Sequence, residues 1–166
     1  MTLTERLRFD STAPAQTRAL GAALGRCLHA GHGLALSGEL GAGKTVFVQG
    51  LAVGLGVEDP SEVRSPTYLL LVEHPGPIPL LHMDAYFAQR GLDFLADGGA
   101  AYSAETGVLA VEWAEKLGGE LPDTFLRVAI QHVDETRRSV VLSGCADVWG
   151  RILAELEQLV GSGRFR

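Results

Sequence analysis

The stretch LSGELGAGKTVF, Leu36 to Phe47, decides the fold of this 166-residue chain. Gly38, Gly43, Lys44 and Thr45 fall on the spacing G-x-x-x-x-G-K-[ST], a loop whose backbone N–H groups can close around phosphate oxygens. Glycines at 38, 41 and 43 permit that approach where a Cβ would collide. The context matches the motif. GLALSG (33–38) is a short apolar run bounded by glycine, as a buried strand is, and KTVFVQGLAVGLG (44–56) continues as a helix. Strand, glycine loop and helix in that order aim the positive end of a helix dipole at the bound anion. Lys44 then supplies a mobile point charge for the β and γ phosphates, and the Thr45 hydroxyl a ligand for Mg²⁺. A nucleoside triphosphate is therefore expected, but the loop alone does not say what its binding is for.

Working outward, STAPAQTRALGAALGRCLHAG (11–31) reads as a helix. Thr12 is its expected N-cap, Pro14 lies in its first turn, Leu20, Leu24, Cys27 and Leu28 share one face, and Gly31 is its stop. A short strand at Leu7–Phe9 precedes it. After the loop helix, TYLLLVEH (67–74) and IPLLHMD (78–84) read as strands joined by the turn Pro75–Pro77. VLAVEW (108–113) is a further apolar run, and FLRVAIQHVD (125–134) with RRSVVLSG (137–144) forms an expected hairpin. DVWGRILAELEQLV (147–160) places Val148, Ile152, Leu156 and Leu159 on one helical stripe. The expected class is α/β: a P-loop NTPase-like, mainly parallel mixed sheet with helices on both faces and a late antiparallel hairpin. The length suits one domain over 1–166.

Composition narrows the function. Fourteen basic against 20 acidic side chains give a net charge of −6, which argues against a chain that grips nucleic acid by itself, since that affinity needs a basic face. Any link to RNA is expected to run through a partner. Cys27 and Cys145 fit no metal or disulfide framework. No basic-then-apolar leader opens MTLTERLRFD, and no apolar run reaches the ~18 residues of a membrane span. The expectation is a cytoplasmic protein without a membrane anchor.

Three more segments carry chemistry. Asp84 closes the apolar run of PLLHMDAY, the position of a Walker-B-type aspartate that holds Mg²⁺ directly or through water. His82 shares its side of the strand and either orients the site or is a hydrogen-bonded structural histidine. In LAVEWAE, Glu112 follows a buried strand and could ligate Mg²⁺ or position the attacking water. Trp113 beside it is either a core aromatic or a partner-contact anchor. In VRSPTY, Pro66 restrains Ser65 to an extended conformation and presents Thr67 from a stiff turn, where its hydroxyl can sense a γ-phosphate as switch segments do.

GELGAGKT, SPTY, HMDAY and VEW, in this order and at these separations, together resemble the bacterial YjeE/TsaE family, the ATPase subunits of the machinery that makes threonylcarbamoyladenosine on tRNA. The resemblance runs from the first helix to the C-terminal hairpin. It implies that Leu40, Gly41, Ala42, Gly43, Lys44 and Thr45 bind ATP phosphates, with Mg²⁺ at Thr45, Asp84 and Glu112, and that Lys44, Thr67, Asp84 and Glu112 serve catalysis. It also implies an adenine pocket at Thr17, a basic residue near the nucleotide at Arg137, and Trp113 as the tryptophan that follows the metal-side acid. Glu39 stands where the family more often has Asp, and Phe87 where it usually has Arg, with Arg90 close by. Two partner subunits are implied, a catalytic metalloprotein and its structural relative, which ATP binding and hydrolysis reset between rounds; tRNA would be met only through them. The rival reading is a small-molecule P-loop kinase. It wants a cationic lid, whereas GLDFLADGGAAYSAET (91–106) contains no Lys or Arg. A GTPase would want a guanine-reading N-K-x-D segment on a late strand, and none occurs.

Overall fold

A computed structural model describes residues 4–163. Seven strands form one sheet: β1 (Thr4–Ser11), β2 (Gly33–Ser37), β3 (Leu71–His74), β4 (Leu80–Asp84), β5 (Val108–Glu112), β6 (Leu126–His132) and β7 (Arg138–Cys145). Their spatial order is β1-β7-β6-β2-β5-β4-β3. The inner four, β6-β2-β5-β4, pair in parallel, while β1, β7 and β3 join antiparallel. Strands β4 and β5 are buried along their whole length, as parallel strands covered on both faces are, whereas β6 alternates, with Leu126, Val128 and Ile130 buried and Arg127 and Gln131 exposed. Helices α1 (Pro14–Gly25), α2 (Lys44–Leu55) and α5 (Ala146–Gly161) lie on one face, where Leu20, Phe47, Leu51 and Trp149 meet Leu34, Leu36, Val128 and Leu142. On the other, α3 (Ala88–Ala96) and the 3₁₀ turn Ala114–Leu117 set Leu92, Leu95 and Leu117 against Leu81, Met83, Leu109 and Val111. The second short helix of this region is α4 (Gly99–Thr106).

The expected fold class stands, and four local expectations need correction. Helix α1 ends at Gly25 rather than near Gly31, because the N–H groups of Cys27 and Leu28 turn back to the carbonyls of Leu24 and Gly25 in a tightened last turn. Its N-cap is Ala13, not Thr12; the Thr12 N–H donates instead to Gln16 Oε1 at 2.7 Å. The strand expected from Thr67 starts only at Leu71. The Leu69 N–H closes a turn onto the Pro66 carbonyl, and Leu70 adopts φ 66°, a left-handed conformation no strand continues through. In α5 the buried line is Trp149, Leu153 and Leu156, with Val148, Ile152 and Leu159 flanking it half-buried.

Helices α1 and α2 approach until their backbones touch. A Cβ on Gly21 would strike the Phe47 carbonyl oxygen, one on Gly25 that of Leu51, one on Gly50 that of Arg18 and one on Gly54 that of Ala22. Glycines four residues apart on both helices thus make one continuous seam. The seam anchors the helix that begins at the phosphate loop.

Candidate nucleotide site

The parallel strands end together on one edge of the sheet. In β2–β5 register Leu36 lies opposite Glu112, and in β4–β5 register Asp84 lies opposite Glu112. The loop that leaves β2 is thereby set beside two carboxylates, at the carboxyl ends of the strands where open α/β sheets bind ligands. Loop geometry needs its glycines: Gly38 has φ 150° and a Cβ there would collide with the Ile130 carbonyl, while Gly43 caps α2 at φ 114°.

A cavity of about 670 Å³ opens over this edge. Loop residues 40–46 floor it, including Leu40, Gly41, Ala42, Gly43, Lys44 and Thr45, and Ser65, Thr67, Tyr68, Tyr86, Glu112 and Trp113 wall it. Lys44 is 5% exposed. Its Nζ donates to the carbonyls of Gly38 and Glu39 and sits 3.8 Å from the centroid of the Trp113 ring. Burial lowers the Lys44 pKa, opposed by the carboxylates of Glu112, Glu115 and Asp84. The Thr45 hydroxyl donates to Glu112, 2.9 Å from Oε1 and 3.1 Å from Oε2.

Asp84 lies behind the wall, 1% exposed. It accepts from the Ser65 hydroxyl at 2.5 Å, the Thr67 hydroxyl at 3.0 Å and the Tyr86 N–H at 2.8 Å. The SPT turn is therefore fastened to the aspartate, and Arg90 fastens its far side by donating to the Tyr68 carbonyl at 2.8 Å. Trp113 stands between Lys44 and Tyr86 with φ 58°. Among the described residues the two non-glycine residues with positive φ, Leu70 and Trp113, both follow segments that line this cavity. Strain of this kind collects where a fold holds side chains for function.

Not every expected residue meets here. Thr17 is buried, donates to the Ser11 hydroxyl at 2.8 Å, and sets its methyl behind Gly43 without lining the cavity. Arg137 pairs with Asp134 at 2.6 Å on the exposed β6–β7 turn, and that pairing holds the Asp134 carboxyl well below the usual carboxylate range. Phe87 is an exposed ring edge-on to Tyr86. Ser65, Tyr86 and Glu115, whose Oε1 faces the Gly38 N–H at 3.5 Å, were not singled out from the sequence. Ser65 had a readable signal, since it opens the SPT triplet. Tyr86 had one as well, as the tyrosine of HMDAY; Glu115 had none.

Thr45, Asp84 and Glu112 are hard oxygen donors of the type Mg²⁺ takes. Among the described residues no group of three or more His, Cys, Asp or Glu is placed to hold a metal alone.

A glycine cradle between a parallel strand and a helix, with carboxylates ending the neighbouring strands, defines the P-loop class of α/β proteins. Comparison with known proteins narrows the class. The family model described as threonylcarbamoyl adenosine biosynthesis protein TsaE matches residues 11–140, and the chain belongs to that family. It is 40% identical over 153 residues to the tRNA threonylcarbamoyladenosine biosynthesis protein TsaE of Streptomyces coelicolor, covering 87% of this chain and 99% of the relative. To the protein of that name from Treponema pallidum it is 35% identical over 137 residues, covering 82% and 100%. The crystal structure of Bacillus subtilis YdiB superposes with a TM-score of 0.75 at 28% identity, covering 95% of this chain and 98% of that one.

Proposed function

We propose that this chain is a Mg²⁺-dependent ATPase, slow by itself, that serves threonylcarbamoyladenosine modification of tRNA by resetting a partner complex through ATP binding and hydrolysis. The observation that carries the reading is the joining of the glycine cradle to Glu112 through the Thr45 hydroxyl, with Lys44 beside it. ATP phosphates lie along the N–H groups of residues 40–45, and the Lys44 ammonium exchanges the carbonyls of Gly38 and Glu39 for phosphate oxygens. Thr45, Asp84 and Glu112 would hold Mg²⁺, and the ion, when bound, would neutralise charge on the transferring phosphoryl group. Thr67 senses the γ-phosphate by leaving Asp84 for it. Thr17 and Arg137 serve the adenosine end, which requires Arg137 to give up Asp134 and the buried Thr17 to be uncovered from Ser11. Residues 1–166 act as one ATPase domain, in the cytoplasm.

The pathway comes from the family and from the names of the relatives. Two partner subunits, a catalytic metalloprotein and its structural relative, complete the machinery, and tRNA is met through them. No helix among the described residues is long and apolar enough to cross a membrane. The kinase alternative is disfavoured because 91–106, where a kinase would want a cationic lid, carries no Lys or Arg and contributes no residue to the cavity lining.

Phosphate release from ATP by the purified chain, alone and with the two partner subunits, tests the reading. Slow release that rises sharply with the partners is expected. Phosphate transferred to an added metabolite instead of water would replace the ATPase with a kinase.

A further inference from the structure

His82 sits in the middle of β4, in register with Val72 on β3 and Ala110 on β5, and is completely buried. A sheet interior is an unfavourable place for an imidazole unless both nitrogens are satisfied. Its Nδ1 has no hydrogen-bond partner among the described residues. The bond it does make is at Nε2, which donates to Glu112 Oε1 at 2.8 Å, because a carboxylate offers only acceptors. Glu112 in turn accepts the Thr45 hydroxyl hydrogen. Three side chains from β4, β5 and the first turn of α2 thus form one line, His82–Glu112–Thr45.

We propose that His82 is a positioning residue for the cation side of the site: it fixes the Glu112 carboxylate, which fixes the Thr45 hydroxyl. The proposal rests on the Mg²⁺–ATP reading above. A threonine hydroxyl has one hydrogen and two lone pairs. With the hydrogen committed to Glu112, the lone pairs face the cavity, where a cation can take one. The terminal torsion of a glutamate is broad and roughly two-fold, so a carboxylate held by Thr45 alone could turn and take the hydroxyl with it. The His82 Nε2–H removes that freedom. A histidine kept only for packing would have no reason to spend its single bond on the carboxylate that holds Thr45, since β4 is otherwise apolar at Leu80, Leu81 and Met83.

The test compares His82→Gln, whose Nε2 falls near the place of the imidazole Nε2, with His82→Asn, whose shorter amide cannot reach Glu112. Mn²⁺ binding is followed by electron paramagnetic resonance in the presence of saturating adenylyl imidodiphosphate, with thermal midpoints measured alongside. The asparagine variant is expected to bind Mn²⁺ roughly 10- to 100-fold more weakly, the usual effect of losing a group that orients a metal ligand, and the glutamine variant to stay within about threefold of the wild type. If His82→Asn does not fold, His82→Leu, which keeps the volume without a donor, takes its place with the same expectation. Wild-type Mn²⁺ affinity in the asparagine or leucine variant overturns the proposal, as does an equal loss in the glutamine variant. A wild-type chain that binds neither nucleotide nor Mn²⁺ overturns the ATPase reading itself, and that failure is visible before any variant is made.

Discussion

Glu112 and Trp113 are neighbours in sequence with opposite tasks. Glu112 is 2% exposed and spends both carboxylate oxygens on Thr45 and His82, so on the proposed reading its loss would act on the cation side of the site more than on the glycine loop. At saturating Mg²⁺, Glu112→Ala is expected to lower turnover by about 10²-fold or more while ATP affinity changes only a few-fold. Single-turnover kinetics beside equilibrium binding separate the two quantities, and a variant that unfolds instead would make Glu112 a structural carboxylate. Trp113 meets Lys44 with its ring face and Tyr86 in an edge contact; it is half-buried, on the cavity wall and packed against the edge of the second apolar cluster. Trp113→Ala is expected to keep its thermal midpoint within a few degrees and to lose the response of turnover to the partner subunits. Early melting of that variant would mark it as a core residue instead.

At the scale of elements, the seam between α1 and α2 governs where the phosphate loop sits. Gly21→Ala places a methyl against the Phe47 carbonyl, and backbone cannot move aside as a flexible side chain does. A loss of about 1–3 kcal/mol in urea unfolding is expected, together with weakened ATP binding, because Phe47 lies in the first turn of the loop helix. An unchanged unfolding midpoint would contradict the close approach. This seam was not legible in the sequence: glycine has no side chain to contribute to an apolar stripe, so glycines four apart give no periodic signal. The strand–loop–helix unit was legible because its glycines fall at fixed offsets, and Asp84 and Glu112 because each is a carboxylate ending an apolar run. The turn at 67–70 was hidden by residues that favour strands. What bends it is tertiary: the hydroxyls of Ser65 and Thr67 on Asp84 and Arg90 on the Tyr68 carbonyl. Helices α3 and α4 were hidden by their brevity, 9 and 8 residues, and by Gly98 at φ 89° between them.

Two buried histidines tie the stability of the whole molecule to pH. Burial, with His29 beside it, lowers the His32 pKa from 6.5 to about 4. Its Nδ1 accepts the His29 N–H at 3.2 Å, and its ring lies 4.8 Å from that of the buried Trp149. Protonation would therefore remove an acceptor as well as bury a charge. The unfolded chain takes up this proton at a higher pH than the folded one, so stability is complete above about pH 6.5 and falls as pH drops toward about 4. His74, lowered by burial and by His82 nearby, acts in the same direction. The thermal midpoint is expected to fall across this range. His32→Asn, which keeps an acceptor for the His29 N–H and does not titrate, is expected to flatten the fall. Equal slopes in the two proteins would contradict this origin.

The most direct test of the nucleotide site is equilibrium binding of ATP to the wild type and to Lys44→Ala, each in excess Mg²⁺ and in excess chelator. On the proposed reading Lys44 would meet the phosphates with a charge-assisted hydrogen bond worth about 1.5–3 kcal/mol, so the variant is expected to bind roughly 10- to 100-fold more weakly, and the wild type to bind more tightly with Mg²⁺ than without. Tight, Mg²⁺-dependent ATP binding that survives the loss of Lys44 would contradict the assignment of the loop.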